Sequence, residues 1–170
     1  MVSTPEPHSV EAIFVEAMKP HGFKKKQLNW YLDGEAILAG INLQTSNWNA
    51  RKRWGVHYVN AGCFVRELDT ERKYDRKQPP VYAFHVNFRA GCLLPGEYID
   101  TIPCLNDDNE MSVDARRGEI EMLVNERLVP VVRRLATEDG IVAIYKQSLL
   151  PQHVFTGAYG RMMPWIESRL

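Results

Sequence analysis

The fold is decided by two runs of sequence, Ile41-Asn-Leu-Gln-Thr-Ser46 and Trp54-Gly-Val-His-Tyr-Val-Asn-Ala-Gly-Cys-Phe64. Apolar and polar residues alternate in the first run, while the second is apolar on both faces for much of its length. Alternation with a period of two is typical of a half-buried β-strand, and a strand that is apolar on both faces is typical of a central position. The two runs therefore predict neighbouring antiparallel strands joined by a polar loop.

Further alternating runs extend this sheet in both directions. Asp33-Gly34 is a hairpin signal between the first two predicted strands, and the charged stretch from Asp69 to Pro80 predicts a solvent loop before the last predicted strand. The four predicted strands run from Phe23 to Leu32, from Ile37 to Ser46, from Trp54 to Leu68 and from Tyr82 to Arg89.

Helical periodicity marks both ends of the chain. Apolar residues at helical spacing predict a helix from Val10 to Lys19 and a longer one from Ser112 to Thr137, which Pro130 should kink or divide. Asp139-Gly140 is expected to break the pattern. The short apolar stretch from residue 141 to 150 favours a helix, and a strand is the alternative. The apolar tail that follows should dock on the core.

The order of these elements predicts an α+β fold. We expect an antiparallel sheet of about four strands, with the N-terminal helix and the C-terminal helices packed on one face. A chain of 170 residues suits a single domain over residues 1–170, with a frayed start over residues 1–8.

Composition limits the classes of function. Lys and Arg together number 21, as do Asp and Glu, and this neutral balance argues against a general binder of nucleic acid or membrane surfaces. The sequence shows neither a signal peptide nor a membrane span. Three widely spaced cysteines, Cys63, Cys92 and Cys104, are expected to be reduced thiols and small buried hydrophobes in a cytoplasmic protein.

Short motifs in the first half of the chain resemble a bacterial family, domain of unknown function 4304. They are Phe23-Lys-Lys-Lys26, Trp30-Tyr31, Ile41-Asn-Leu-Gln-Thr-Ser46, Tyr58-Val-Asn-Ala-Gly62 and the strand from His85 to Arg89. The resemblance implies a small α+β domain that often stands alone as a bacterial protein. It implies no established activity, so no catalytic residues are carried over from it.

The polar face of the sheet holds the strongest candidate site. If the strands form a meander, amides, an imidazole and a guanidinium come together there, a set that suits an anion-binding concavity. A solvated sheet face explains the same pattern. The candidate binding residues are Asn42, Gln44, Ser46, Tyr58, Asn60, His85, Asn87 and Arg89.

Other patterns are weaker. His57 is interpreted as a core or edge histidine whose hydrogen bonds are satisfied, although a pair with His85, as two metal ligands or as acid and base, is also considered. No metal-ligand spacing or cofactor motif is present. The loop with Trp48, Arg51, Arg53 and Trp54 suggests either a binding site for single-stranded nucleic acid or simply a solvated turn. The acidic run from Asp107 to Glu110 is interpreted as the approach to a helix N-terminus, where negative charge is favourable.

Three hypotheses of function follow from these patterns. The leading one is binding of a protein partner, for example in an immunity- or antitoxin-like role. The second is an enzyme that acts on a small anionic substrate through His85 and Arg89. The third is single-stranded nucleic-acid binding through the loop from Trp48 to Trp54.

Overall fold

The sheet is a meander, in which the order of the strands follows their order in the chain. The computed structural model describes residues 6–46, 55–70, 74–96, 101–155 and 161–170, and within these ranges five antiparallel strands form one sheet. They are β1 (Lys24–Lys26), β2 (Asn29–Asp33), β3 (Ile37–Thr45), β4 (His57–Val65) and β5 (Val86–Arg89). The α+β prediction is confirmed.

The predicted first strand is in fact a hairpin of two strands. Lys26 pairs with Asn29, so Gln27 and Leu28 form the turn between β1 and β2. Gln27 adopts a left-handed conformation, with φ of 54°, which few residues other than glycine adopt without strain. The turn after β2 is as predicted, because the Gly34 N–H donates to Ile37 O at 2.9 Å.

Helices cover one face of the sheet, as predicted. They are α1 (Val10–Met18), α2 (Val113–Met122), α3 (Val129–Leu135), α4 (Glu138–Lys146) and α5 (Met162–Glu167). Ser9 caps α1, since its hydroxyl accepts the Ala12 N–H at 3.2 Å. Trp165 and Ile166 on α5 are buried in the main core, which confirms that the tail docks.

The long C-terminal helical segment is divided at the predicted place. A π-helical turn, Leu123–Leu128, lies between α2 and α3, and Pro130 occupies the first turn of α3. Proline lacks an N–H and its ring displaces the carbonyl one turn earlier, so a wider π turn accommodates it. The predicted break at Asp139-Gly140 was wrong: both residues lie in the first turn of α4, which Thr137 caps.

The opposite face of the sheet is partly covered, which differs from the prediction. The predicted strand from Tyr82 begins only at Val86, because Val81–Ala83 forms a 3-10 turn that folds over the sheet. Phe84 packs above Gly40, where an added β-carbon would lie 2.8 Å from the ring. A second apolar cluster results, made of Tyr31, Leu38, Phe64, Ala83 and Phe84.

Within the described ranges, no helix is long and apolar enough to cross a membrane.

Candidate binding groove

A row of polar side chains crosses the uncovered part of this second face. The strand register places Lys26 opposite Asn29, Asn29 opposite Asn42, and Asn42 opposite Asn60. Asn60 is in turn opposite Arg89 on β5. Because directly opposed residues project to the same face, each of the five strands contributes one side chain to the row.

The amides of this row are hydrogen-bonded head to tail. Asn60 Nδ2 donates to Asn42 Oδ1 at 3.1 Å, and Asn42 Nδ2 donates to Asn29 Oδ1 at 3.0 Å. Asn60 Nδ2 also donates to Gln44 Oε1 at 3.0 Å. Such a network holds each amide in one orientation, so the remaining donors and acceptors point in fixed directions.

The three amides of the row, Asn29, Asn42 and Asn60, form the floor of a groove with a volume of about 500 Å³. One wall is the segment that folds over the sheet, with Pro80 and the exposed ring of Tyr82, and the opposite rim is the Lys26–Gln27 end of the first hairpin. Burial, with a smaller contribution from Asp75, raises the pKa of Tyr31, which also lines the groove. Its protonated hydroxyl donates to Pro79 O at 3.3 Å and fixes this wall to the sheet.

Most of the predicted site residues lie in or beside the groove. Asn42, Gln44, Asn60 and Asn87 line it. Tyr58 lies directly opposite Gln44 on β4, and the Arg89 guanidinium carbon lies 4.3 Å from the centre of the Tyr58 ring. Ser46 follows the end of β3, and its N–H donates to Val56 O at 3.0 Å rather than lining the groove.

Eight groove residues were not among the predicted site residues: Lys26, Gln27, Asn29, Tyr31, Gln78, Pro80, Val81 and Tyr82. Asn29 and Tyr31 had a usable signal, because both alternate with Trp30 and the Asp33-Gly34 hairpin brings them beside β3. The other six had none, since their positions depend on a tight turn or on a loop that folds back over the sheet.

A comparison with protein families identifies the chain. The family model described as a domain of unknown function (DUF4304) matches residues 14–134, about seven tenths of the sequence. The chain belongs to this family. The match begins in α1 and ends in α3, so it includes all five strands and the floor of the groove. No curated protein and no solved structure matches the chain.

His85 of the DUF4304 domain is on the same sheet face but outside the groove. Its ring lies 5.0 Å from that of Phe64, within the second apolar cluster, and its Nδ1 accepts the Val65 N–H at 3.0 Å. Burial lowers the pKa of His85, an effect that Asp69 opposes and Arg161 reinforces. His85 is therefore a neutral structural histidine, and this geometry gives no support to a catalytic pair with Arg89.

Replacing His85 by asparagine should flatten the acid side of the stability profile. The folded protein binds a proton at His85 less readily than the unfolded chain does. His85 therefore contributes to the stability of the fold at pH values above its ordinary pKa of 6.5, and this contribution is lost as pH falls below that value. Asparagine keeps an acceptor for Val65 and does not titrate. Urea unfolding at pH 5 to 8 measures the effect, with His8→Asn, at an exposed histidine, as control. Equal acid sensitivity of His85→Asn and the wild type would contradict this role.

His57 lies on the helix-covered face and therefore cannot pair with His85. It is buried, and its Nδ1 is 3.1 Å from Gly55 O and 3.7 Å from Asp107 Oδ2. The Asp107 carboxylate also accepts the Val10 N–H at 2.9 Å and lies 3.8 Å from Arg116 Nη1. The acidic run thus approaches a helix N-terminus, but the helix is α1 rather than α2, which follows it in sequence.

The three cysteines are free thiols. Burial raises the pKa of Cys63 and of Cys92, and it raises that of Cys104 to about 12. Because the thiolate is the reactive form, these groups are suited to packing rather than to nucleophilic attack at neutral pH.

The remaining predictions concern metals and nucleic acid. Among the residues that the structure describes, no cluster of three or more His, Cys, Asp or Glu side chains could hold a metal ion. The candidate nucleic-acid residues Trp48, Arg51, Arg53 and Trp54 lie outside the described residues.

Proposed function

We propose that this DUF4304 protein acts by binding another protein, and that the groove receives an extended polar segment of that partner. The proposal includes an immunity- or antitoxin-like role, in which the bound partner would be inhibited. The observation that carries it is the row of side-chain amides whose hydrogen-bonding capacity is only partly used.

The unused groups are of both kinds. No described residue donates to Asn60 Oδ1 or Asn87 Oδ1, and none accepts from Gln44 Nε2. A peptide offers alternating N–H donors and C=O acceptors, so a surface that presents both is complementary to it. A purely anionic ligand would leave the two amide oxygens without donors.

The arrangement of these groups favours an extended ligand over a compact one. From Lys26 to Asn60 the row crosses four strands, a distance of about 14 Å at the usual spacing between strands. Polar groups that converge on one point suit a small molecule. Groups arranged along a line suit a segment of polypeptide, which spans this distance in about four residues.

The wall of the groove supplies an aromatic anchor. Tyr82 is 72% exposed, and its ring lies edge-on to Tyr74 with 6.1 Å between the centroids. Tyrosine is enriched at protein interfaces because it combines a large apolar ring with a hydroxyl that can hydrogen-bond. A Tyr ring beside an amide floor therefore provides both the apolar and the polar contacts that a peptide segment requires.

Photo-crosslinking tests this proposal. A photoreactive phenylalanine analogue at position 82 should yield a discrete protein adduct in the source cells. The same analogue at position 122 should not, because Met122 is 51% exposed on a helix at the other face of the sheet. Adding Asn60→Leu, which removes the central amide and fills the groove, should abolish the adduct. The same adducts from both positions, or none from position 82, would contradict the proposal.

A further inference from the structure

The charge on the side chains described as lining the groove is positive and lies at its β1 end. Lys26 is the one charged residue among the side chains described as lining it, and Lys24 lies on the same face of β1 because it pairs with Tyr31. All three β1 lysines are exposed, and none forms an ion pair with a described carboxylate. Asp33, which shares this face, is paired with Arg66. Among the residues that the structure describes, therefore, no carboxylate pairs with the two positive charges at the β1 rim.

This positive charge is local. The whole chain has equal numbers of basic and acidic residues, so no general field would attract nucleic acid. At physiological salt, charges act over about 8 Å. The lysines therefore influence only the part of a ligand that crosses the β1 end of the groove.

From these observations, and resting on the proposed function, we infer that the partner segment is acidic where it crosses β1. Its carboxylates face Lys24 and Lys26, and its backbone lies over the amide row. A protein segment is favoured over a polyanion such as nucleic acid, because the floor of the groove offers neutral amides rather than further cations. Opposed charges at such a rim raise the rate of association and select against partners of the wrong sign.

The strand supplies its own matched control. Lys25 projects to the other face of the sheet, where its Nζ lies 5.9 Å from the centre of the Trp30 ring. Lys25→Glu and Lys26→Glu therefore change the net charge equally, one residue apart. Only the second places a carboxylate in the groove.

Panning a displayed library of random 12-residue peptides on the full chain provides the test. Enriched peptides should contain Asp or Glu, should lose affinity about ten- to hundredfold on Lys26→Glu, and should change little on Lys25→Glu. Raising the salt concentration should weaken binding of these peptides.

The outcomes separate this inference from the proposed function. Peptides that require Asn60 but are neutral or basic would overturn the acidic assignment and leave groove binding intact. An absence of any enriched peptide sensitive to Asn60→Leu would contradict both. If a single-stranded oligonucleotide bound instead, and lost affinity on Lys26→Glu, the partner class would be nucleic acid and the inference would be wrong.

Discussion

Replacing Asp107 by alanine is expected to lower the free energy of unfolding by about 3 kcal/mol. The Asp107 side chain is 4% exposed and contacts three separate parts of the chain. Its removal leaves the Val10 N–H at the start of α1 without an acceptor and leaves the buried Arg116 without its carboxylate. Arg116 also donates to Asn106 O and Asn109 O, so the expected loss is at the lower end of the range for a broken buried pair.

Urea unfolding at pH 7 measures this loss, and the neighbouring residue is a control. Asp108 is exposed, so Asp108→Ala removes the same charge and should change stability by no more than about 0.5 kcal/mol. Asp107→Asn, which keeps an acceptor for Val10, should fall between the two. Combining Asp107→Ala with Arg116→Met should cost less than the sum of the single changes, because the second change removes the orphaned charge. Equal losses from the two Asp→Ala variants would refute the network.

The Asp107 contact shows where sequence reasoning is limited. Asp107 was correctly linked to a helix N-terminus, because acidic residues are favourable there. The nearest helix in sequence was α2, whereas the carboxylate accepts from Val10, 97 residues earlier. Spacing along the chain carries no information about a contact of that range, so the residue type predicted the interaction but not its partner.

The groove shows how far the alternation of strand side chains can predict which residues share a sheet face. Asn42, Gln44 and Asn60 were placed on one face because strand side chains alternate, and the observed register brings these three together. The same rule put His85 on the correct face. It did not predict that the Val81–Ala83 turn folds over the sheet or that the imidazole is buried, since covering a sheet face by a loop is a tertiary event.

Gly62→Ala should strongly destabilise the fold. An added β-carbon at Gly62 would lie 1.8 Å from the Val86 carbonyl oxygen and 2.8 Å from the Val86 carbonyl carbon, in the backbone of the neighbouring strand. A side chain can rotate away from such a clash, but a paired strand can yield only by moving. β5 would then separate from β4 and withdraw Phe88 from the core. We expect a loss of at least about 3 kcal/mol, the upper end of the range for overpacking.

The same substitution at Gly118 should have the opposite effect on the free energy of unfolding. Gly118 is exposed within α2, and an added β-carbon there meets nothing within 4 Å. Alanine is the better helix former by about 1 kcal/mol, so Gly118→Ala should raise the free energy of unfolding by up to that amount. Parallel urea unfolding of the two variants isolates the close approach of β4 and β5 from the general effect of glycine on the unfolded chain. If Gly62→Ala were as stable as Gly118→Ala, the tight pairing of these strands would be wrong, and with it the position of Arg89 beside the groove.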